Sequence, residues 1–190
     1  FLYAAHGCIY YDVKGQSSAS GREPVVLFRG LGRSSRHWLG FDEQLAQHYQ
    51  VITLDARGLG RTQAPMDFGT SVFDLASDAI AILDELGIAK AHFMGVSLGG
   101  MITLATGLKF PERVETLTVI NSSIAGLKRS RLTLGAMHSL ARAVTRPINH
   151  EYSLTPMLVE SNDPDRLREI IDHHIDIQRA EGIPYRTVVK

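Results

Sequence analysis

Short apolar runs alternate with longer amphipathic segments over the first 123 residues. The runs predict buried strands at Val25–Phe28, Val51–Asp55, Ala91–Met94 and Val114–Ile120. Between the second and third runs, apolar residues recur at helical spacing from Val72 to Leu86, preceded by the capping residue Ser71 and followed by Gly87. Strands that alternate with helices predict an α/β fold, a parallel sheet covered by helices on both faces.

Three more elements of this first part are predicted from local pattern. His6–Gly15 alternates between apolar and polar residues, which indicates a strand. Ser34 or Ser35 is placed to cap a helix that runs through His48, and Leu98–Phe110, rich in Ala, Leu, Ile and Met, is typical of another helix.

After Ser123 the pattern changes, because helical segments follow one another without a strand between them. They are predicted at Arg131–Val144, Glu151–Ser161 and Asp165–Ala180. The chain therefore divides into an α/β core at residues 1–123 and a helical segment at residues 124–190.

Composition narrows the class of protein. The chain has 190 residues, 44% of them hydrophobic, and a formal net charge of zero, which favours one soluble globular unit and a small-molecule substrate over nucleic acid or a membrane surface. A single cysteine, Cys8, excludes an intrachain disulfide, and no apolar run reaches the length of a membrane span. We expect a cytoplasmic setting, while the oligomeric state stays open.

The segment Gly95-Val96-Ser97-Leu98-Gly99 carries the strongest chemical signal. A serine between a strand and a helix, with glycines two positions away on each side, has the context of a nucleophile elbow. The tight reversal forces the serine into a strained backbone conformation and leaves room only for glycine at Gly95 and Gly99. Ser97 is then a nucleophile exposed at the helix N-terminus, and the alternative is a small residue in a tight turn.

Further motifs lie in a fixed order around this segment, namely Arg29-Gly30-Leu31-Gly32, Asp55–Thr62 and Phe110–Val114. With them, the chain resembles the α/β-hydrolase superfamily from about His6 to Ser123, in its cap-bearing branch of esterases, lactonases and carbon–carbon bond hydrolases. The resemblance implies an α/β-hydrolase fold in which residues 124–190 form a helical cap. It also implies Ser97 as nucleophile, the backbone N–H groups of Leu98 and Leu31 as oxyanion donors, and Gly30 as structural support.

Arg29 departs from the family pattern, in which histidine commonly precedes this glycine. We interpret Arg29 first as a structural contact beside the loop, and the alternative is a fixed cation near the pocket that favours an acidic substrate. Trp38 is expected either in the core or in the pocket wall. Both residues are therefore pocket candidates.

The resemblance also implies two more strands that carry the catalytic acid and then the histidine. We therefore expect the chain to be a fragment, with neither residue in it. Asp55 and Arg57 match a loop-forming motif in which Thr62 replaces the usual serine, and Asn121, where some relatives have the acid, cannot ionise. None of the eight histidines stands at the family's position, and the adjacent His173 and His174 are expected on a helix surface rather than on a metal.

These observations together predict a serine hydrolase that acts on a small carboxylic ester, lactone or related carbonyl compound through an acyl-enzyme. No metal or organic cofactor is expected. Two alternatives share the scaffold and stay open at this point: a non-catalytic small-molecule binding protein, and a cofactor-free lyase or haloperoxidase-like enzyme.

Overall fold

The computed structural model describes residues 1–16, 21–67, 69–122 and 164–181. Contacts between Cα atoms divide the chain into two compact units, Phe1–Ile124 and Ala125–Lys190. The strands are β1 (Leu2–Ala4), β2 (Gly7–Ile9), β3 (Tyr11–Lys14), β4 (Val25–Phe28), β5 (Val51–Leu54), β6 (Ala91–Val96) and β7 (Val114–Ile120). The α-helices are α1 (Phe41–Leu45), α2 (Val72–Glu85), α3 (Leu98–Lys109) and α4 (Pro164–Glu181), and short 3-10 helices span Ser35–Trp38 and Pro111–Arg113.

Five strands of the first unit form one mixed sheet in the order β3-β5-β4-β6-β7. Strand β4 pairs in parallel with β5 and β6, and β6 pairs in parallel with β7, whereas β3 runs antiparallel to β5. β1 and β2 form a separate antiparallel pair. Helical connections between parallel neighbours define an α/β fold, so the predicted fold class is confirmed.

The central strand β4 is buried on both faces of the sheet. Val26 and Phe28 belong to a core cluster that includes residues of α2 and α3, and the ring of Phe28 stacks on that of Phe93 at 6.2 Å between centroids. Val25 and Leu27 pack on the opposite side with Trp38 and Val51. Because successive side chains of a strand point to opposite faces, an uninterrupted apolar run is what a strand covered on both faces requires.

Helix α2 begins where the sequence predicts, at a capping box. The backbone N–H of Asp74 donates to Ser71 Oγ at 3.3 Å, and the Asp74 carboxylate accepts from the N–H and the hydroxyl of Ser71 at 2.8 and 2.6 Å. These bonds satisfy polar groups that a helix N-terminus otherwise leaves without partners. Gly87, with φ of 68°, follows the helix end.

The strand predicted over His6–Gly15 is two strands in two different sheets, β2 and β3. The interruption lies at Tyr10, whose backbone N–H donates to the hydroxyl of Thr62 at 2.9 Å. The carbonyl of Cys8 accepts from the backbone of Gln63 and Ala64 at 2.8 and 3.1 Å. These loop contacts occupy the backbone groups with which a single continuous strand would pair, so the prediction of one strand was wrong.

The helix predicted from Ser34 or Ser35 through His48 is also interrupted. Its first part is the 3-10 helix Ser35–Trp38 and its second is α1, which ends at Leu45. Leu39 and Gly40 separate the two with φ of 53° and 86°. Positive φ is incompatible with a right-handed helix, so the chain turns between the two parts.

In the second unit, α4 agrees with the helix predicted at Asp165–Ala180. Ile171, His174 and Ile175 lie on its buried side, and Asp172 and His173 are exposed. His173 is therefore on the surface as expected, whereas His174 is not. The helices predicted at Arg131–Val144 and Glu151–Ser161 lie outside the described residues, and a cap at residues 124–190 stays a prediction. Over the described part of the chain, no helix is both long and apolar enough to cross a membrane.

Candidate active site

Ser97 occupies the junction between β6 and α3 with an unusual backbone conformation. Its φ is 56° and its ψ is −116°, and the residue is exposed to solvent. Positive φ is rare for a residue with a side chain and costs on the order of 1–3 kcal/mol, so the surrounding structure must hold it in place. A strained, exposed serine between a strand and a helix is the local geometry that the elbow motif predicts.

The two flanking glycines are required by close packing. A Cβ on Gly95 would collide with the backbone of Gly99, and a Cβ on Gly99 would collide with the carbonyl group of Phe28. These contacts bring the first turn of α3 against β6 and against the end of β4. The packing therefore allows the abrupt change from strand to helix that exposes the Ser97 side chain.

Gly30 brings the loop after β4 next to the serine. A Cβ on Gly30 would lie 3.4 Å from Ser97 Cβ and 3.9 Å from Ser97 Oγ. The next residue, Leu31, is exposed and is the second residue of a turn in which the N–H of Arg33 donates to the carbonyl of Gly30 at 3.1 Å. Gly32 has φ of 71° at the third position of this turn, where type II turns place glycine.

The proposed oxyanion donors lie on the two sides of this contact. Leu98 is the first residue of α3, so its N–H has no acceptor within the helix. Leu31 follows the glycine that contacts Ser97. Within the described residues neither N–H makes a hydrogen bond, which leaves both groups able to donate to an oxygen bound beside Ser97.

The end of β7 holds the backbone of Ser97. The Ser97 N–H donates to the carbonyl of Ile120 at 3.0 Å, and the Ser122 hydroxyl donates to the Ser97 carbonyl at 2.7 Å. Between these two partners, Asn121 adopts φ of 46°. The sequence motif gave no sign of Ser122, because its contact depends on the pairing of β6 with β7.

Asp55 supports the same loops from inside the protein. It is fully buried, and its carboxylate accepts from the backbone N–H groups of Ser35 at 2.6 Å and Arg61 at 2.9 Å. Arg57 makes two hydrogen bonds to Asp78 of α2, at 2.8 and 2.7 Å. Both residues thus make structural contacts, as the sequence motif predicts.

Arg29 directly follows β4, and its side chain stacks on Trp38. The guanidinium carbon lies 4.8 Å from the centroid of the Trp38 ring, which is only 7% exposed and belongs to the core. Burial, and then the nearby charge of Arg33, lowers the pKa of Arg29 to about 10. The Arg29 side chain is therefore still a cation at neutral pH.

Three histidines of the first unit contact residues other than Ser97. His6 Nε2 lies 3.2 Å from the Asp78 carboxylate, and His92 Nδ1 lies 2.8 Å from the Thr116 hydroxyl. His37 is buried, with Nδ1 at 3.1 Å from the Ser34 backbone N–H. In the part of the chain that the structure describes, no hydrogen bond joins a histidine or a carboxylate to the Ser97 hydroxyl.

A mostly parallel sheet with a strained serine at the turn from strand β6 to helix α3 is typical of one class of α/β proteins. A family model for the alpha/beta hydrolase fold matches residues 23–160. The chain belongs to the alpha/beta hydrolase fold family.

Known relatives are hydrolases of several kinds. "Putative carbamate hydrolase RutD" from Yersinia enterocolitica is 40% identical to this chain over 114 residues, which are 60% of this chain and 41% of that protein. A solved structure described as "Est816 as an N-Acyl homoserine lactone degrading enzyme" is 28% identical with a TM-score of 0.65, covering 87% of this chain and 61% of the other. A hydrolase from Pseudomonas aeruginosa is 26% identical with a TM-score of 0.66, covering 90% and 65%. All three of these similar proteins are named as hydrolases or degrading enzymes.

Proposed function

We propose that this chain supplies the nucleophile and the oxyanion donors of a serine hydrolase that acts on a small ester, lactone or related carbonyl compound. The main support is the backbone of Ser97, held at φ of 56° with its side chain exposed beside Gly30. The relatives support hydrolysis in general, since their names include a carbamate hydrolase and a lactone-degrading enzyme. Carbamates, lactones and esters share a carbonyl carbon bonded to a leaving group.

In the proposed reaction, Ser97 Oγ forms a bond to the carbonyl carbon while its proton passes to a base. The N–H groups of Leu98 and Leu31 donate to the resulting oxyanion, and loss of one such donor typically costs on the order of a hundredfold in rate. Collapse of this intermediate expels the protonated leaving group and leaves an acyl-enzyme. Water then cleaves the acyl group, which releases the acid and restores the serine.

The catalytic histidine and its acid are proposed to lie outside the described residues. Ser97 alone is a weak nucleophile, because an unassisted hydroxyl keeps its proton at neutral pH. The match covers 41% and 43% of the length of two carbamate hydrolase relatives. The activity of the whole protein is accordingly part of this proposal.

A fluorophosphonate probe tests the assignment on the complete gene product. The probe should label Ser97 covalently, and Ser97→Ala should abolish labelling. Ser77→Ala, which removes a hydroxyl on α2 that donates to the Phe73 carbonyl, is the matched control and should keep full labelling. Equal labelling of the Ser97→Ala protein would refute the nucleophile, and a folded complete protein without any labelling would favour a non-catalytic binding protein.

A further inference from the structure

The backbone of Arg29 lies beside the residues that hold the proposed nucleophile. Its carbonyl oxygen would be 2.8 Å from a Cβ placed on Gly99, and the following residue, Gly30, borders Ser97. Arg29 is thus held between the first turn of α3 and the loop that carries the Leu31 N–H. Its side chain starts from one of the most constrained backbone positions in the site.

The side chain of Arg29 is also held in place. Its guanidinium lies over the ring of Trp38 at 4.8 Å, and that ring in turn packs against Phe41 at 5.5 Å. Stacking on a buried aromatic ring restricts a guanidinium without neutralising its charge. The Arg29 Nε is buried and has no hydrogen-bond partner within the described residues, so this stacked group still has a donor to offer.

The charge of Arg29 is not compensated by a carboxylate in the described ranges. Two other arginines there are paired with carboxylates: Arg57 lies 2.7 Å from Asp78, and Arg113 lies 2.7 Å from Asp84. The neighbouring charge that acts on Arg29 is that of Arg33, which is of the same sign. Burial disfavours a cation that has no carboxylate partner, so an anion that binds beside Arg29 would stabilise it.

Given the proposed hydrolase function, we propose that Arg29 binds a carboxylate of the substrate, so that the enzyme prefers esters that carry a free acid group. A guanidinium fits a carboxylate with two parallel hydrogen bonds. The stack on Trp38 fixes the direction from which that carboxylate is bound. The simplest substrates that carry both an ester and a free acid are half-esters of dicarboxylic acids.

The test compares substrates that differ only in charge. Monoethyl esters of malonic, succinic, glutaric and adipic acid are each compared with the ethyl ester whose free acid is replaced by a carboxamide, using the complete gene product. We expect at least one half-ester to exceed its carboxamide in kcat/KM by about tenfold or more. Arg29→Met should lower kcat/KM for that half-ester about tenfold to a hundredfold, mainly through KM, and change the carboxamide value less than about twofold.

Two further variants separate a local contact from a general charge effect. Arg36→Met removes the same charge from an exposed position on the neighbouring 3-10 helix and should leave both substrates unchanged. Arg29→His, with a neutral ring at pH 8, should behave as Arg29→Met does. Equal losses for half-ester and carboxamide, or no preference in the unaltered protein, would overturn the inference and return Arg29 to a structural role.

A binding measurement keeps the inference testable apart from catalysis. Calorimetry with the Ser97→Ala protein should show that the four free dicarboxylates bind more tightly than their half-amides. If the probe never labels Ser97 but dicarboxylates bind, the proposed function fails and the carboxylate site stands. If the probe labels Ser97 but no dicarboxylate binds more tightly than its half-amide, the proposed hydrolase function is supported and the carboxylate-binding role of Arg29 is refuted. The calorimetric measurement does not require an Arg29 variant to fold.

Discussion

The carboxylate of Asp55 accepts a hydrogen bond from the backbone N–H of Ser35 at 2.6 Å. Its other oxygen accepts from the N–H of Arg61 at 2.9 Å, so one fully buried side chain joins the segments that follow β4 and β5. The first of these segments also contains Gly30, which borders Ser97. Asp55 therefore ties the loop that contains Gly30 to the segment that follows β5.

Replacing Asp55 with asparagine should destabilise the protein. The amide has a single acceptor oxygen, so one of the two N–H groups would face an NH2 group instead of an oxygen. We expect Asp55→Asn to lower the free energy of unfolding by about 2–4 kcal/mol, measured by urea denaturation, and to lower ester hydrolysis by the complete gene product. Asp12→Asn on β3 is the control, because the Asp12 carboxylate makes no hydrogen bond in the described residues. A fully stable Asp55→Asn protein would show that the two bonds contribute little.

The elements that could be predicted from sequence are those whose pattern is dictated by burial. β4 and β5 are buried at every position. Each run has only four residues, which is too short for a helix. Helix α2 was predicted to within a residue, since Ser71 and Asp74 cap it locally. The elbow was recognisable because its serine and its two glycines lie within five residues of the chain.

What could not be predicted depends on residues far apart in the sequence. The break at Tyr10 is set by Thr62, which is 52 positions away. The link from Asp55 to Ser35 and the stack of Arg29 on Trp38 likewise join separate segments. Leu39 adopts positive φ although it is not glycine, so its own residue type did not indicate the turn.

Gly99 should tolerate no side chain. A Cβ there would overlap the carbonyl of Phe28, which belongs to the central strand and cannot move independently. We expect Gly99→Ala to destabilise the protein by about 3 kcal/mol or more, or to prevent folding, as judged by urea denaturation and circular dichroism. At Gly69 a Cβ would meet, among the described residues, only the exposed Asp67 carboxylate at 3.4 Å, so Gly69→Ala should change stability little. Equal tolerance at both positions would contradict the close packing of α3 against β4.

The cap of α2 should make stability depend on acid pH. The Ser71 hydroxyl, followed by the Ser71 backbone N–H, lowers the pKa of Asp74 below its usual value of 3.8. Because the folded pKa is the lower one, the ionised carboxylate stabilises the fold above pH 3.8, and this contribution is lost as the pH falls through the folded pKa. The difference in unfolding free energy between the unaltered protein and Asp74→Asn should therefore be largest near pH 7 and shrink towards pH 3.

The same comparison in a Ser71→Ala background is the control. Without the hydroxyl, the pKa of Asp74 should lie closer to its usual value, so the pH dependence of the Asp74→Asn effect should be weaker. Urea denaturation between pH 3 and 7 gives all four stabilities at each pH. If the pH dependence is identical with and without the Ser71 hydroxyl, the capping box is not its cause.

The backbone strain at Ser97 should be measurable as a difference in stability between two inactive variants. Glycine accepts φ of 56° without steric cost, whereas alanine keeps the Cβ that makes this conformation unfavourable. Relief of strain, less the entropy that glycine adds to the unfolded chain, should make Ser97→Gly more stable than Ser97→Ala by about 1 kcal/mol. Both variants lack the hydroxyl and should be inactive. At Ser77, inside α2, the order should reverse, with glycine less stable than alanine by about 1 kcal/mol. Urea denaturation of the four variants measures these differences. If alanine is the more stable residue at both positions, the backbone of Ser97 stores no strain.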